Sequence, residues 1–311
     1  MGATAAALLP IVAPILLGFA LKRSRFLSDE AWAGMEKLTY FVLFPCLLVR
    51  TLGTQTLVGA PLLGMLGVVA ATLMSAAAVL VLWHRRAASV ADSTFTSIFQ
   101  GGVRFNTYIA LAVAEVFFGA EGLAMGAVAA GFMIVLINLL CISALAIWGD
   151  AAIHGIYPFI RVVLGNPLIL ACAAGWALSL SQIGLGDLPA DMLEVIGRGA
   201  LPLGLLAVGA ALQPQAIRAH LKPALISSTI QFGLKPLMAW LLISATSLTG
   251  AAGGAVAIAL IAPTAPSGYI LARQLGGDAS AMASIITLQT LLAFVLMPLM
   301  AFWAFGLRVG E

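Results

Sequence analysis

Charge is scarce in this chain. Only 9% of its 311 residues are charged, whereas 62% are hydrophobic and the mean hydropathy is +1.10. Soluble domains carry about 25% charged residues, so this composition excludes a soluble fold, which would expose too much apolar surface to water. Lys and Arg number 15 against 12 for Asp and Glu, a near balance that excludes a nucleic-acid-binding protein. The composition indicates an integral membrane protein whose first partner is the lipid bilayer.

Cysteine and histidine are also rare. The three cysteines, Cys46, Cys141 and Cys172, lie in apolar runs without the spacing of metal ligands. The three histidines lie in predicted loops, so we expect neither a disulfide framework nor a metal site. The chain also lacks a Ser/His/Asp order and a phosphate-binding glycine loop. We therefore expect no enzyme activity, no catalytic residues and no cofactor.

Uncharged stretches recur along the chain at the length that a membrane helix needs, about 20 residues. The stretch from Pro236 to Ala272 is too long for one helix, and the pairs Thr249-Gly250 and Gly253-Gly254 predict a turn within it. The sequence therefore predicts an all-α membrane protein with ten transmembrane helices. Their predicted positions are near 4–21, 36–52, 58–83, 90–118, 122–148, 161–181, 190–213, 220–246, 251–275 and 279–306.

Basic residues predict the orientation of these helices. Nine of the 15 lie in the connections 1–2, 3–4, 5–6, 7–8 and 9–10, and three lie on the opposite side. Because basic loops stay in the cytoplasm, both termini are expected in the periplasm, with the protein in a bacterial inner membrane. No Lys or Arg precedes Lys22, so the first stretch lacks the basic start of a cleavable signal peptide and is expected to be a retained span.

Similar residues recur in order in the two halves of the chain. The matching pairs are Pro14 and Pro167, Pro45 and Pro202, and Tyr108 and Tyr269. Each half then reaches a turn made of glycine and an acidic residue. Five helices per half require the second half to insert upside down, so we predict two inverted five-helix repeats. The repeats are 1–148 and 161–311, joined by a short cytoplasmic linker at 149–160.

Two predicted helices are broken near their middle. In the fourth, residues 100–106 place a glycine pair and three polar side chains within an apolar run; in the ninth, Pro263 and Pro266 interrupt the backbone. Inverted repeats with broken helices are typical of secondary transporters, whose site lies where the breaks meet. Asn106 and either Thr264 or Ser267 are expected to cap the half-helices that follow. The N-terminal ends of these half-helices would attract an anion, and Arg104 would add a full positive charge.

Three segments resemble the bacterial branch of the auxin efflux carrier family. They are Val103-Arg-Phe-Asn-Thr-Tyr-Ile-Ala-Leu111, Leu201-Pro-Leu-Gly-Leu-Leu-Ala-Val-Gly-Ala-Ala-Leu212 and the run from Ala262 to Asp278. The resemblance implies that helices 4 and 9 cross at a central site. It also implies a scaffold domain of helices 1, 2, 6 and 7, and a transport domain of helices 3–5 and 8–10. An elevator-like movement is implied as well, by similarity to bile-acid sodium symporters, and a homodimer through the scaffold is plausible.

The resemblance implies a carboxylate substrate such as malate, malonate or an auxin-like acid. Asn106 matches the crossover asparagine of helix 4, and Pro263 and Pro266 match the crossover prolines of helix 9. The chain departs from the family in lacking a proline after Asn106 and in lacking the long hydrophilic loop of plant carriers. The candidate substrate-binding residues are Arg104, Phe105, Asn106, Thr107, Tyr108, Pro263, Thr264, Ala265, Pro266, Ser267, Gly268, Tyr269, Pro45 and Pro202.

The sequence does not decide whether transport is coupled to protons or to sodium. Lys235 lies in the middle of helix 8, where it is either part of an ion pathway or a replacement for a bound sodium ion. The other ion-coupling candidates are Gln231, Gln289 and Glu115, and Glu115 could also pair with Arg104. An anion channel and a ligand sensor without transport activity are the alternative functions.

Overall fold

The structure is a computed structural model that describes residues 9–54, 60–87, 90–149, 165–246, 248–303 and 306. All regular secondary structure in these ranges is helical. Six segments are long and apolar enough to cross a membrane: Asp29–Gly53, Leu62–Arg86, Asp92–Trp148, Asp187–Ala210, Leu221–Thr246 and Ala279–Ala301. Pro167–Leu180 and Gly250–Ile261 are shorter apolar helices. The prediction of an all-α, multi-pass membrane protein is confirmed.

The helices are numbered here in chain order. Those before residue 150 are α1 (Leu9–Arg23), α2 (Asp29–Leu38), α3 (Phe44–Gly53), α4 (Leu62–Ala87), α5 (Asp92–Val103) and α6 (Thr107–Trp148). Those after it are α7 (Pro167–Leu180), α8 (Asp187–Gly197), α9 (Ala200–Ala210), α10 (Pro214–Ala219), α11 (Leu221–Thr229), α12 (Lys235–Thr246), α13 (Gly250–Ile261), α14 (Ser267–Gln274) and α15 (Ala279–Trp303).

The predicted second span begins earlier than its apolar run suggested. Helix α2 starts at Asp29 rather than near residue 36, because the Ser28 side chain accepts a hydrogen bond from the Ala31 amide. Asp29 and Glu30 also place negative charge in the first turn, where the helix dipole favours it. Residues 4–8, 58–59, 161–164 and 304–305 of the predicted spans, and residues 150–160 of the predicted linker, lie outside the described residues.

Two short π-helical turns interrupt otherwise continuous spans. One covers Thr39–Leu43 between α2 and α3, and the other covers Ile230–Leu234 between α11 and α12. Each turn is followed at the second residue by a proline, Pro45 or Pro236. Proline has no N–H and its ring crowds the preceding turn, so the wider π-turn accommodates it without ending the span.

Helix α6 reverses direction at Gly119, which has φ of +58°. A Cβ on Gly126 would lie 3.1 Å from Leu111 and 3.3 Å from Ala114, so the segments on either side of Gly119 run back along each other. They correspond to the predicted second half of span 4 and to span 5. Gly276, in the matching turn of the second half, also has a positive φ, +74°.

The turn predicted near residue 250 is only partly correct. Gly250 has φ of +62° and starts α13. The second glycine pair lies inside α13. A Cβ on Gly254 would lie 2.2 Å from the Phe118 ring. Gly254 therefore serves close packing of α13 against α6 rather than a change of chain direction.

Most helix contacts fall within two sets of helices, although α6 also contacts α3, α7 and α9. In the paired-helix unit (α1–α3 and α7–α9), α1 packs against α9 and α3 packs against α7. The backbones come unusually close there, since a Cβ on Gly209 would lie 1.8 Å from the Ile15 carbonyl oxygen and one on Gly18 would lie 2.0 Å from that of Leu206. In the crossover unit (α4–α6 and α11–α15), α13 packs against α6, and α11 contacts both α5 and α15.

We predict that Gly209→Ala destabilises the protein, because its methyl group would overlap the backbone of α1. Overpacking of this kind costs about 1–3 kcal/mol, so the unfolding midpoint of the purified protein should fall by several degrees. Gly67→Ala in α4 is the matched control, because a Cβ on Gly67 meets nothing within 4 Å. Equal midpoints for the two variants would contradict the close approach of α1 and α9.

Candidate site at the crossing of two broken helices

The first break separates α5 from α6. Arg104, Phe105 and Asn106 lie between the helices, and the backbones of Arg104 and Asn106 are extended. The Asn106 Oδ1 atom accepts hydrogen bonds from the amides of Tyr108 at 3.0 Å and Ile109 at 3.2 Å. The prediction that Asn106 caps the following half-helix is confirmed.

The second break separates α13 from α14, and the prediction that Thr264 or Ser267 caps it is wrong. Pro266 occupies the capping position, and no side chain there bonds the first amides of α14. Pro266 has φ of −56°, which suits the start of a helix, so Ser267 becomes the first helical residue and is exposed.

Gln289, on α15, joins the two breaks. Its Oε1 atom accepts from the Thr264 amide at 3.0 Å. Its Nε2 atom donates to the Gly101 carbonyl, in the last turn of α5, and to the Ser227 hydroxyl on α11, each at 3.0 Å. One buried amide thus satisfies backbone groups at both interruptions and holds them side by side.

Gln231 and Lys235 lie four residues apart and bind the C-terminal ends of the two half-helices. The Gln231 Nε2 atom donates to the carbonyls of Leu260 and Ala262, at the end of α13. The Lys235 Nζ atom donates to the carbonyls of Val103 at 3.5 Å and Arg104 at 3.4 Å, at the end of α5. It also donates to Gln231 Oε1 at 2.7 Å. Lys235 is 0% exposed, so its charge lies wholly within the protein.

Arg104 is a second buried cation, 8% exposed. Its guanidinium donates to two neutral amide oxygens, Gln100 Oε1 at 3.2 Å and Asn138 Oδ1 at 3.3 Å. Within the described ranges, no carboxylate forms an ion pair with it, and Glu115 is exposed rather than paired with it. The first of the breaks therefore carries a guanidinium charge without an anionic partner.

Three buried polar atoms at the crossing have no hydrogen-bond partner among the described residues. They are Asn106 Nδ2, Gln100 Nε2 and Thr264 Oγ1. Each residue is at most 1% exposed. Because buried polar groups are nearly always paired, these atoms indicate a place for water or a bound polar molecule.

The remaining candidate residues surround this centre at different depths. Phe105, Pro263 and Gly268 are buried, whereas Thr107, Ala265 and Tyr269 are half-buried. A Cβ on Gly268 would lie 3.5 Å from Arg104 Cδ, so the first turn of α14 runs beside the arginine.

Tyr108 faces the paired-helix unit. Its ring centroid lies 4.4 Å from that of Phe44, and a Cβ on Gly204 would lie 2.8 Å from the Tyr108 ring. The predicted residues Pro45 and Pro202 adjoin these contacts in sequence; Pro45 is half-buried and Pro202 is exposed. The Tyr108 ring therefore connects the first break to the other unit.

Sequence reasoning missed three residues of the site: Gln100, Asn138 and Ser227. The signal for Gln100 was its position four residues before Arg104, on the same helical face. Asn138 is an isolated amide in the apolar run 122–148, where a polar side chain needs a partner. Nothing in the sequence near Ser227 singled it out from its neighbour Ser228.

Two interrupted helices that cross at a buried polar centre are typical of secondary transporters. A family profile described as Membrane transport protein matches residues 157–301. The match covers just under half of the chain, and it includes two of the three segments that resemble the auxin efflux carrier family, Leu201–Leu212 and Ala262–Asp278. No curated protein matches the chain.

We predict that Gln289→Leu destabilises the crossing, because it leaves the Thr264 amide and the Gly101 carbonyl buried without partners. Each unsatisfied group costs about 1–3 kcal/mol, so the unfolding midpoint should fall clearly. Thr290→Val is the matched control, since Thr290 is adjacent, equally buried and has a hydroxyl with no partner among the described residues. It should leave the midpoint unchanged or raise it, and a larger loss in Thr290→Val would contradict the role of Gln289.

Proposed function

We propose that this protein is a secondary transporter of small organic anions, carboxylates such as malate, malonate or auxin-like acids. The observation that carries the proposal is the buried Arg104 guanidinium without a carboxylate partner, next to the unpaired Nδ2 donor of Asn106. An incoming carboxylate would replace the long hydrogen bonds of Arg104 to neutral amides with shorter charge-assisted ones. A cation would meet repulsion at the same place.

The two half-helix starts strengthen the preference for an anion. Helices α6 and α14 both begin at the crossing, and the N-terminal end of a helix carries a partial positive charge. Asn106 uses its oxygen to cap α6 and so turns its amide hydrogens to other partners. Helix α14 has no side-chain cap, and the amides of Gly268 and Tyr269 donate to the carbonyls of Ala265 and Pro266, so this helix would attract the anion through the partial positive charge of its start.

The proposal includes ten transmembrane helices in two inverted repeats. Packing between the two halves supports the inverted repeats. The first predicted span packs against the seventh (α1 with α9), and the second packs against the sixth (α3 with α7). A two-fold relation between the halves would produce this reciprocal pairing. The positive φ angles of Gly119 and Gly276, in the two matching turns, support it as well.

Elevator-type movement would displace the crossover unit against the paired-helix unit. The ion pairs among the described residues support this division, because each lies within one unit: Lys22 with Asp29, Glu194 with Arg50 and with Arg198, and His84 with Asp92. Between the units lies an apolar crevice, with Ile11 and Ile15 of α1 facing Ile109, Val113 and Met297. An apolar boundary without ion pairs offers little resistance to sliding.

The predominance of basic residues on one side of the predicted spans supports a bacterial inner membrane with periplasmic termini.

A binding screen followed by a flux measurement tests this function. Purified protein is heated with malate, malonate, indole-3-acetate and a matched cationic amine, and stabilised pairs are then tested for uptake in proteoliposomes. A transporter gives saturable uptake of the stabilising carboxylate. Binding without flux would favour a sensor, non-saturable flux would favour an anion channel, and stabilisation by the amine alone would contradict the anion site.

We predict that Asn106→Asp weakens the stabilisation by carboxylates, because it retains the capping oxygen but replaces the free donor with a negative charge. The matched control is Asn166→Asp, since Asn166 Oδ1 caps α7 by accepting from the amides of Leu168 and Ile169. Carboxylate affinity should fall at least tenfold in the first variant, the loss of about 1.4 kcal/mol, and stay within twofold in the second. Equal affinities in both variants, measured by ligand-induced shifts of the unfolding midpoint, would contradict a role of Asn106 in carboxylate binding.

A further inference from the structure

The carbonyl ends of two half-helices converge at the crossing. Helix α5 ends at Val103 and α13 ends at Ile261, and both ends are buried. The last carbonyls of a helix have no partner within the helix, and they carry a partial negative charge. In transporters with broken helices, such carbonyl ends coordinate sodium ions or protons. This part of the crossing is therefore the place where a cation would be expected.

The Lys235 ammonium already occupies that place. Its Nζ atom is surrounded by three oxygen atoms, the carbonyls of Val103 and Arg104 and the Oε1 atom of Gln231. All three are neutral oxygens, the ligand type that a monovalent metal cation takes from a protein. The Gln231 amide completes the arrangement by binding the carbonyls of Leu260 and Ala262 at the end of α13.

The backbone around Lys235 holds the ammonium in position. Gln231 lies in the π-turn Ile230–Leu234, Lys235 follows that turn, and Pro236 comes directly after Lys235. Burying an ammonium costs several kcal/mol unless its donors are satisfied. The three oxygen acceptors are therefore needed to keep the Lys235 ammonium buried. The Arg104 guanidinium, directed to Asn138, adds a second positive charge nearby. A metal cation added to this centre would meet two positive charges.

We propose that Lys235 is a built-in counter-cation, so that the crossing needs no bound metal ion, and that removing its side chain creates a site for a monovalent cation. The oxygens of Val103, Arg104 and Gln231 would then face an empty volume, and a sodium ion would restore the lost positive charge. This inference concerns the cation at the carbonyl ends, and it holds whichever substrate the crossing transports.

The test compares the unfolding midpoints of the wild-type protein, Lys235→Ala and Lys235→Met in sodium, potassium, lithium and choline chloride at equal ionic strength. The wild-type protein should have the same midpoint in sodium as in choline. Lys235→Ala should be less stable in choline and should gain about 5–10 °C in sodium at 100 times its dissociation constant. Lys235→Met should be destabilised equally in all four salts, because its side chain fills the volume without leaving room for an ion.

Chemical rescue by ethylammonium is a second measurement on Lys235→Ala. This ion supplies the N–H donors of the lost ammonium group, whereas choline has none, so it should raise the midpoint more than choline does. Recovery of folded Lys235→Ala only when sodium or ethylammonium is present during purification would also support the proposal.

Four results would overturn the proposal. A wild-type midpoint that rises in sodium over choline would show a cation site beside Lys235. Identical midpoints of Lys235→Ala in all salts, or no folded protein in any of them, would show that no ion replaces the ammonium. An equal sodium response in Lys235→Met would place the sodium site elsewhere.

Discussion

Backbone groups freed by helix breaks are the constraint on which the centre of this protein depends. Within a bilayer no water pairs with a loose carbonyl or amide, so each one must find a partner inside the protein. Gln289 pairs with groups at both breaks, and Gln231 and Lys235 pair with the carbonyls that end α13 and α5. Gln289 comes from α15, Lys235 from α12 and Gln231 from the π-turn that precedes α12. The interrupted backbone is therefore held by its neighbours, which keep the irregular segments buried and in contact.

The same arrangement separates charge at the crossing. The carbonyl ends of α5 and α13 face the Lys235 ammonium, whereas the amide ends of α6 and α14 lie next to Arg104 and Asn106. One side of the crossing is therefore neutralised internally, and the other keeps a positive character without a partner. Under the proposed function, this asymmetry would let a site with two buried cations attract an anion without also requiring a metal ion.

Much of the fold was predictable because it depends on local composition. Apolar length predicted the multi-pass helical character, and glycine and proline predicted both interruptions and the turns at Gly119, Gly250 and Gly276. Asn106 was predictable as a cap because a capping bond reaches only two or three residues along the chain. The cap predicted at Thr264 or Ser267 was wrong, since Pro266 starts that helix by its own backbone geometry. The early start of α2 was missed because its first turn is polar.

The sequence by itself determined the membrane class and the positions of the breaks, because each follows from neighbouring residues. Only the tertiary structure decided what the buried polar residues contact. Lys235 and the Val103 carbonyl are 132 residues apart, and Gln289 and Gly101 are 188 apart. Such contacts depend on how whole helices pack, and here packing depends on shape, as where Gly209 admits the backbone of α1. No local pattern encodes which distant helix will lie opposite a buried side chain, and so the partners of the two buried cations emerged only from the fold.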